Sequence, residues 1–81
     1  LALMLINGTP YRLLFGSDVV NDGVYLELQD PRLPGHQVVL VAFRSDKDGQ
    51  VSITAFEKEI PLLVVMQFLD AVRTEWPAAG V

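Results

Sequence analysis

The sequence predicts an α+β domain: an antiparallel sheet of four to five hairpin-connected strands packed against one C-terminal helix in two layers. Three observations predict it. Turn signals recur at short intervals, "NGTP" at 7–10, "NDG" at 21–23, "DPRLPG" at 30–35 and "DKDG" at 46–49, so the segments between them have strand length. Several of those segments alternate apolar and polar residues. After "FEKEIP" the pattern becomes an apolar run with helical spacing, closed by Pro77 and Gly80.

The first strand is expected over residues 1–6. Asn7-Gly8 then offers a two-residue hairpin turn, because both residues tolerate positive φ. A second strand over 11–15, extending toward Val20, begins after Pro10, which cannot donate a ladder hydrogen bond and so suggests an edge on one side. The third, "VYLELQ" at 24–29, alternates cleanly, with Val24, Leu26 and Leu28 on one side and Tyr25, Glu27 and Gln29 on the other. The fourth, "VVLVAFR" at 38–44, is almost continuously apolar, as expected of a central strand with both faces at least partly covered. The fifth, "VSITAFE" at 51–57, alternates again.

A helix follows over 61–76, with Pro61 at its first position, where the missing N–H costs nothing. On a helical wheel Leu62, Val65, Leu69, Val72 and Trp76 cluster, and Val64, Phe68 and Ala71 widen the stripe to roughly twice the ordinary 100°. Leu63 lies outside it. One sheet face is not expected to cover all of these, so Leu63, Val64 and Phe68 are expected to form a contact with a second copy. Leu33 and Tyr25 are further candidates for a dimer or partner contact.

Composition points the same way. The 81 residues should form one domain, 1–81. Of these, 51% are apolar and 20% charged, more apolar than the 45–50% usual for a soluble domain. A partner, most simply another copy, would cover the excess. The six basic residues, Arg12, Arg32, Arg44, Lys47, Lys58 and Arg73, are dispersed in a chain of net charge −4, so no nucleic-acid partner is expected. There is no cysteine, which removes disulfides, thiolate metal sites and cysteine nucleophiles. The opening "LALMLI" is too short to span a bilayer and lacks a basic flank, so no membrane association is expected and the cytoplasm is the default location.

The one stretch that looks like chemistry is "FRSDKDGQVSITAF" at 43–56. Aligned on Gly49, an EF-hand loop would place Asp46 and Asp48 at ligand positions. Its first position is then Arg44, a cation, and its twelfth is Ala55, which has no side-chain oxygen. A hairpin fits better. A three-residue loop, Lys47-Asp48-Gly49, pairs Phe43 with Ile53 and Arg44 with Ser52 and separates apolar from polar near the turn. It requires positive φ at Gly49. No metal and no cofactor is expected.

The remaining candidates have structural explanations. His36, the only histidine, lies in "PGHQ" without a nucleophile-elbow context. "PRLP" at 31–34 matches PxxP but reads as a rigid loop. Glu57, Lys58 and Glu59 precede the helix, where acidic groups suit the helix dipole. No catalytic constellation is visible, and the chain is expected not to be an enzyme.

The hairpin sheet, the D-G turn, the "IPL" helix start and the wide apolar helix resemble small bacterial binding proteins, among them immunity proteins that neutralise toxins. The resemblance is architectural and carries no residue across. Function is not determined by these residues. The first expectation is a soluble, non-enzymatic, homodimeric interaction module. The second is an acidic immunity-type protein that binds and neutralises a basic partner, with its carboxylates gathered on one face. The third is a small ligand-binding domain or enzyme, which would need several of Glu27, Glu57, Arg44, Tyr25 and His36 to converge in a pocket.

Overall fold

The computed structural model describes residues 2–35 and 37–78. Five strands follow one another as an antiparallel meander: β1 (Ala2–Ile6), β2 (Thr9–Asp18), β3 (Gly23–Gln29), β4 (Val38–Ser45) and β5 (Val51–Ala55). Helix α1 (Leu62–Glu75) closes the chain. The expected strand start at Leu1, His36 and the closing Gly80 lie outside the described residues.

The first hairpin forms as its turn chemistry dictates. Asn7 and Gly8 have φ of 51° and 83°, the mirror-image turn that matches the right-handed strand twist. Ile6 faces Thr9 across it, and Leu5 faces Pro10. Strand β2 is internal and longer than the pattern suggested, running from Thr9 to Asp18. Pro10 does not mark an edge. Pairing of β2 with β3 begins only at Arg12 and Gln29, so no ladder bond is asked of Pro10 on that side.

The β4–β5 register corrects the sequence reading by one residue. Phe43 pairs with Ser52, Ala42 with Ile53 and Arg44 with Val51, so the loop has four residues, Asp46 to Gly49. Side chains hold it: Ser45 Oγ accepts from the Lys47 N–H at 3.2 Å and Asp48 Oδ1 from the Gln50 N–H at 3.0 Å. The Gly49 N–H donates to the Ser45 carbonyl at 2.9 Å. Hydrophobic pattern sets register only where one face is buried and the other wet. Strand β4 is apolar on both faces, so its pattern could not decide between the two registers.

Gly49 does have positive φ, 73°, as both registers require. Replacing it by Val should cost about 1–2 kcal/mol, because a β-branched residue is strained in the left-handed region. Chemical denaturation of the variant checks this, and an unchanged midpoint would contradict it.

The core lies between α1 and one sheet face. Leu26, Leu28, Leu40 and Ala42 supply the sheet side, joined by Ile6, Tyr11 and Val39. Val39 is the extra residue where β4 slips against β3 between Leu28 and Gln29. From the helix, Val64, Phe68 and Val72 are buried. This i, i+4 row is rotated from the expected stripe, and Leu62, assigned to it, is 72% exposed. A helix that is apolar over most of its wheel carries no unique inward direction. The bulkiest member, Phe68, goes in and the rest follow. Pro61 is the N-cap, not the first helical residue, and no side chain caps this end.

A helix about 10 Å wide cannot cover five strands spaced about 4.8 Å apart. On the helix side Phe15 and Ile53 therefore remain largely exposed. Among the described residues nothing forms a second layer on the opposite face. No described helix is long and apolar enough to cross a membrane.

Candidate functional site

The uncovered face follows from strand alternation. Tyr25 pairs with Phe43 and Glu27 with Val41 across β3 and β4, and Ser52 and Thr54 continue the rows on β5. On β2 and β1 the same face carries Leu14, Arg12, Leu3 and Leu5. Two glycines shape it. The Tyr25 ring lies across Gly16 and the Phe43 ring across Gly23, each filling the space a Cβ would need. The rings thus lie along the sheet and floor a shallow groove of about 790 Å³, with Phe56, Asp18 and Glu27 on its margin.

The groove gathers Tyr25 and Glu27 from the residues considered for a pocket. Glu57 lines an adjoining groove that shares Glu27, Val41 and Phe56. Arg44 lines a cleft elsewhere, with Trp76 and Val51. Among the described members of the set, Arg44 therefore stands apart from Tyr25, Glu27 and Glu57. Among the described residues no three His, Asp or Glu side chains are placed to share a metal ion.

Comparison with protein-family models, with curated proteins and with solved structures finds no match for this chain. The reading of the site therefore rests on its own geometry.

Of the five residues proposed for a dimer or partner contact, Val64 and Phe68 are 3% and 0% exposed and are committed to the core. Neither offers surface to a partner. Leu33 is half-buried against the same core. Leu63 is exposed on the helix beside Leu62 and Met66, and Tyr25 is half-buried on the open sheet face.

The carboxylates gather in part. The Asp46 N–H donates to the Asp22 carbonyl at 2.8 Å, which brings the β2–β3 and β4–β5 loops together with Asp18 and Asp48 nearby in the chain. Lys47 lies in the same loop and the Arg44 guanidinium approaches Gly49, so this end of the sheet is mixed in sign. Asp18 is engaged locally. Its oxygens accept from the Asn21 side chain at 2.8 Å and the Asn21 N–H at 3.1 Å, which hold its carboxyl below the ordinary carboxylate range.

A polar cluster that the sequence reading missed holds the "DPRLPG" loop. Asp30 is 6% exposed. Its Oδ1 accepts from the Arg32 N–H at 2.9 Å and from Arg32 Nε at 3.1 Å, and its Oδ2 from Arg32 Nη2 at 2.9 Å. Nη2 also donates to the Tyr11 hydroxyl at 3.0 Å. The Arg32 side-chain hydrogen bonds hold the Asp30 carboxyl below its ordinary range, against the opposing pull of burial. Asp followed by Pro and a turn is a recognisable side-chain-to-backbone turn; the Arg32–Tyr11 link, 21 residues apart, has no local signal.

The other residues not singled out from sequence are Leu3 and Leu5. They are 68% and 74% exposed on β1, which among the described residues has a neighbour on one side only. The signal was present: "LALMLI" is uncharged, and the first carboxylate of the chain is Asp18.

Proposed function

We propose that this chain is a non-enzymatic protein-interaction module that works as a homodimer. The observation that carries the reading is the sheet face without a covering layer. Leu3, Leu5 and Phe56 are more than half exposed, and Leu14, Tyr25, Val41 and Phe43 are partly exposed around them. Apolar surface costs about 25 cal/mol per Å² while it stays in water, and contiguous exposed patches of this kind mark association surfaces. Among the described residues the polar groups do not assemble a nucleophile, a base and its orienting partner. The Asp30, Arg32 and Tyr11 cluster holds a loop.

Sedimentation equilibrium tests the reading. The expected result is a reversible monomer–dimer equilibrium within the micromolar range; a monomer at high micromolar concentration would contradict it.

A further inference from the structure

We infer that two copies join edge to edge through β1, in antiparallel register with Leu3 opposite Leu5 of the second copy, to form one continuous ten-stranded sheet. The inference rests on the homodimer reading and places its contact at the β1 end of the open face, where Leu3 and Leu5 stand, leaving Tyr25, Phe43 and Phe56 outside it.

The turn decides which backbone groups face the free edge. In a two-residue hairpin the closing pair exchanges hydrogen bonds, and bonded and non-bonded pairs alternate from there. Ile6, Met4 and Ala2 therefore bond to β2 through Thr9, Tyr11 and Leu13. Leu3 and Leu5 turn their N–H and C=O groups away from β2. Pro10, which has no N–H, sits opposite Leu5 as this alternation requires. An edge with two unpaired donors and two unpaired acceptors calls for another strand, not for a helix or a small molecule.

The edge is complementary to itself. Placing Leu3 against Leu5 of a two-fold-related copy makes both pairs hydrogen-bonded and puts Met4 against its own counterpart on the axis. All four leucines then share the open sheet face and shield one another. None of the usual protections is present, since β1 has no Lys, no Pro and no bulge.

Charge selects this edge over the other. The chain carries −4, yet residues 1–17 hold no carboxylate and only Arg12 as a charge. The two Arg12 side chains would stand three strands apart, about 14 Å, beyond the screening length of about 8 Å. The β5 edge is flanked by Asp46, Lys47 and Asp48 at one end and by Glu57, Lys58 and Glu59 at the other, each a net −1. Antiparallel pairing there would bring like charges together.

Two variants and a control test the contact. Leu5→Pro removes an N–H that β2 does not use, so the monomer should keep its melting temperature. By symmetry the dimer loses two hydrogen bonds and should dissociate roughly 100-fold more readily. Met4→Cys introduces the sole thiol of the chain. The facing Cα atoms should lie about 4.5 Å apart, within disulfide reach, so mild oxidation should give a cross-linked dimer on a non-reducing gel. Leu63→Lys, on the exposed helix surface, should leave the dimer intact. If wild type dimerises while Leu5→Pro is unaffected and Met4→Cys stays uncross-linked, the β1 contact is wrong and the homodimer reading stands. If wild type is monomeric, both fall. Should Leu5→Pro unfold, the Met4→Cys cross-link alone decides.

Discussion

Replacing Phe68 by Ala should lower the unfolding free energy by about 3–5 kcal/mol, the usual cost of emptying a fully buried aromatic site. Phe68 is fully shielded from solvent and sits at the centre of the buried helix row with Val64 and Val72. Nothing else can take its place. Among the described residues helix α1 is the only element packed on that sheet face, and a 14-residue helix is marginal by itself in water. A small domain has about 5–15 kcal/mol of stability in all, so this one substitution removes a large share of it. Phe68→Leu, which keeps most of the volume, should cost clearly less. Urea unfolding of both variants provides the check. A loss below about 1 kcal/mol for the Ala variant would mean that the helix does not bury this row. It would also return Phe68 to the surface contact suggested by the helical wheel.

Replacing Asp30 by Ala should cost about 2–3 kcal/mol, within the range for hydrogen bonds to a buried charged group. Asp30 satisfies three N–H donors from Arg32, one of them backbone, and its own N–H and carbonyl close the loop on Gln37 and Leu33. The loss is therefore felt in the loop that carries Leu33 against the core. Arg32→Ala should cost less, because the Arg32 side chain is 61% exposed and leaves through water. The same pair sets an acid dependence. The folded-state pKa of Asp30 is depressed, so the unfolded chain takes up its proton first as pH falls. The stabilisation is therefore present above the ordinary carboxylate range and is lost as pH drops through the lower folded value. Thermal melts from neutral pH into acid should show this loss in wild type and a smaller one in Asp30→Ala. Equal acid sensitivity in the two would rule out Asp30 as a source.

Where the sequence was legible, local chemistry and burial agreed. Asn7-Gly8 and the alternation of 24–29 announced the first hairpin and β3, because a positive-φ turn and a one-sided strand each leave a period in the residues. The same period failed where both faces are apolar. In β4 no residue type marks the inward side, so the register next to Gly49 was misread by one. In α1 the polar side, Gln67, Asp70, Arg73 and Thr74, still leaves an apolar arc about twice the ordinary width, so the buried row was misplaced by most of a quarter turn. Both errors share one physical origin: excess apolar content erases the contrast from which direction is read.

The candidate site was less legible for the same reason. The wheel drew attention to Leu63, Val64 and Phe68, yet two of these fill the core. The exposed excess lies instead on the open sheet face and along β1. That Leu3 and Leu5 stand at an edge is a property of topology, since it depends on no later strand returning beside β1. Sequence periodicity carries no information about that. The Asp30–Arg32–Tyr11 cluster was hidden similarly. Its turn is local, but its anchor, Tyr11, comes from β2, the neighbour of the strand that leads into the loop, and is reached only after β2 and β3 have paired.

The most direct measurement is amide hydrogen exchange at single residues in β1, followed as the protein concentration is raised through the association midpoint. In the monomer the amides of Met4 and Ile6 should be protected by β2, while those of Leu3 and Leu5 exchange freely. With rising concentration Leu3 and Leu5 should become protected and Met4 and Ile6 should change little. Exchange at Leu3 and Leu5 that stays fast while the protein dimerises would contradict an interface built on this edge.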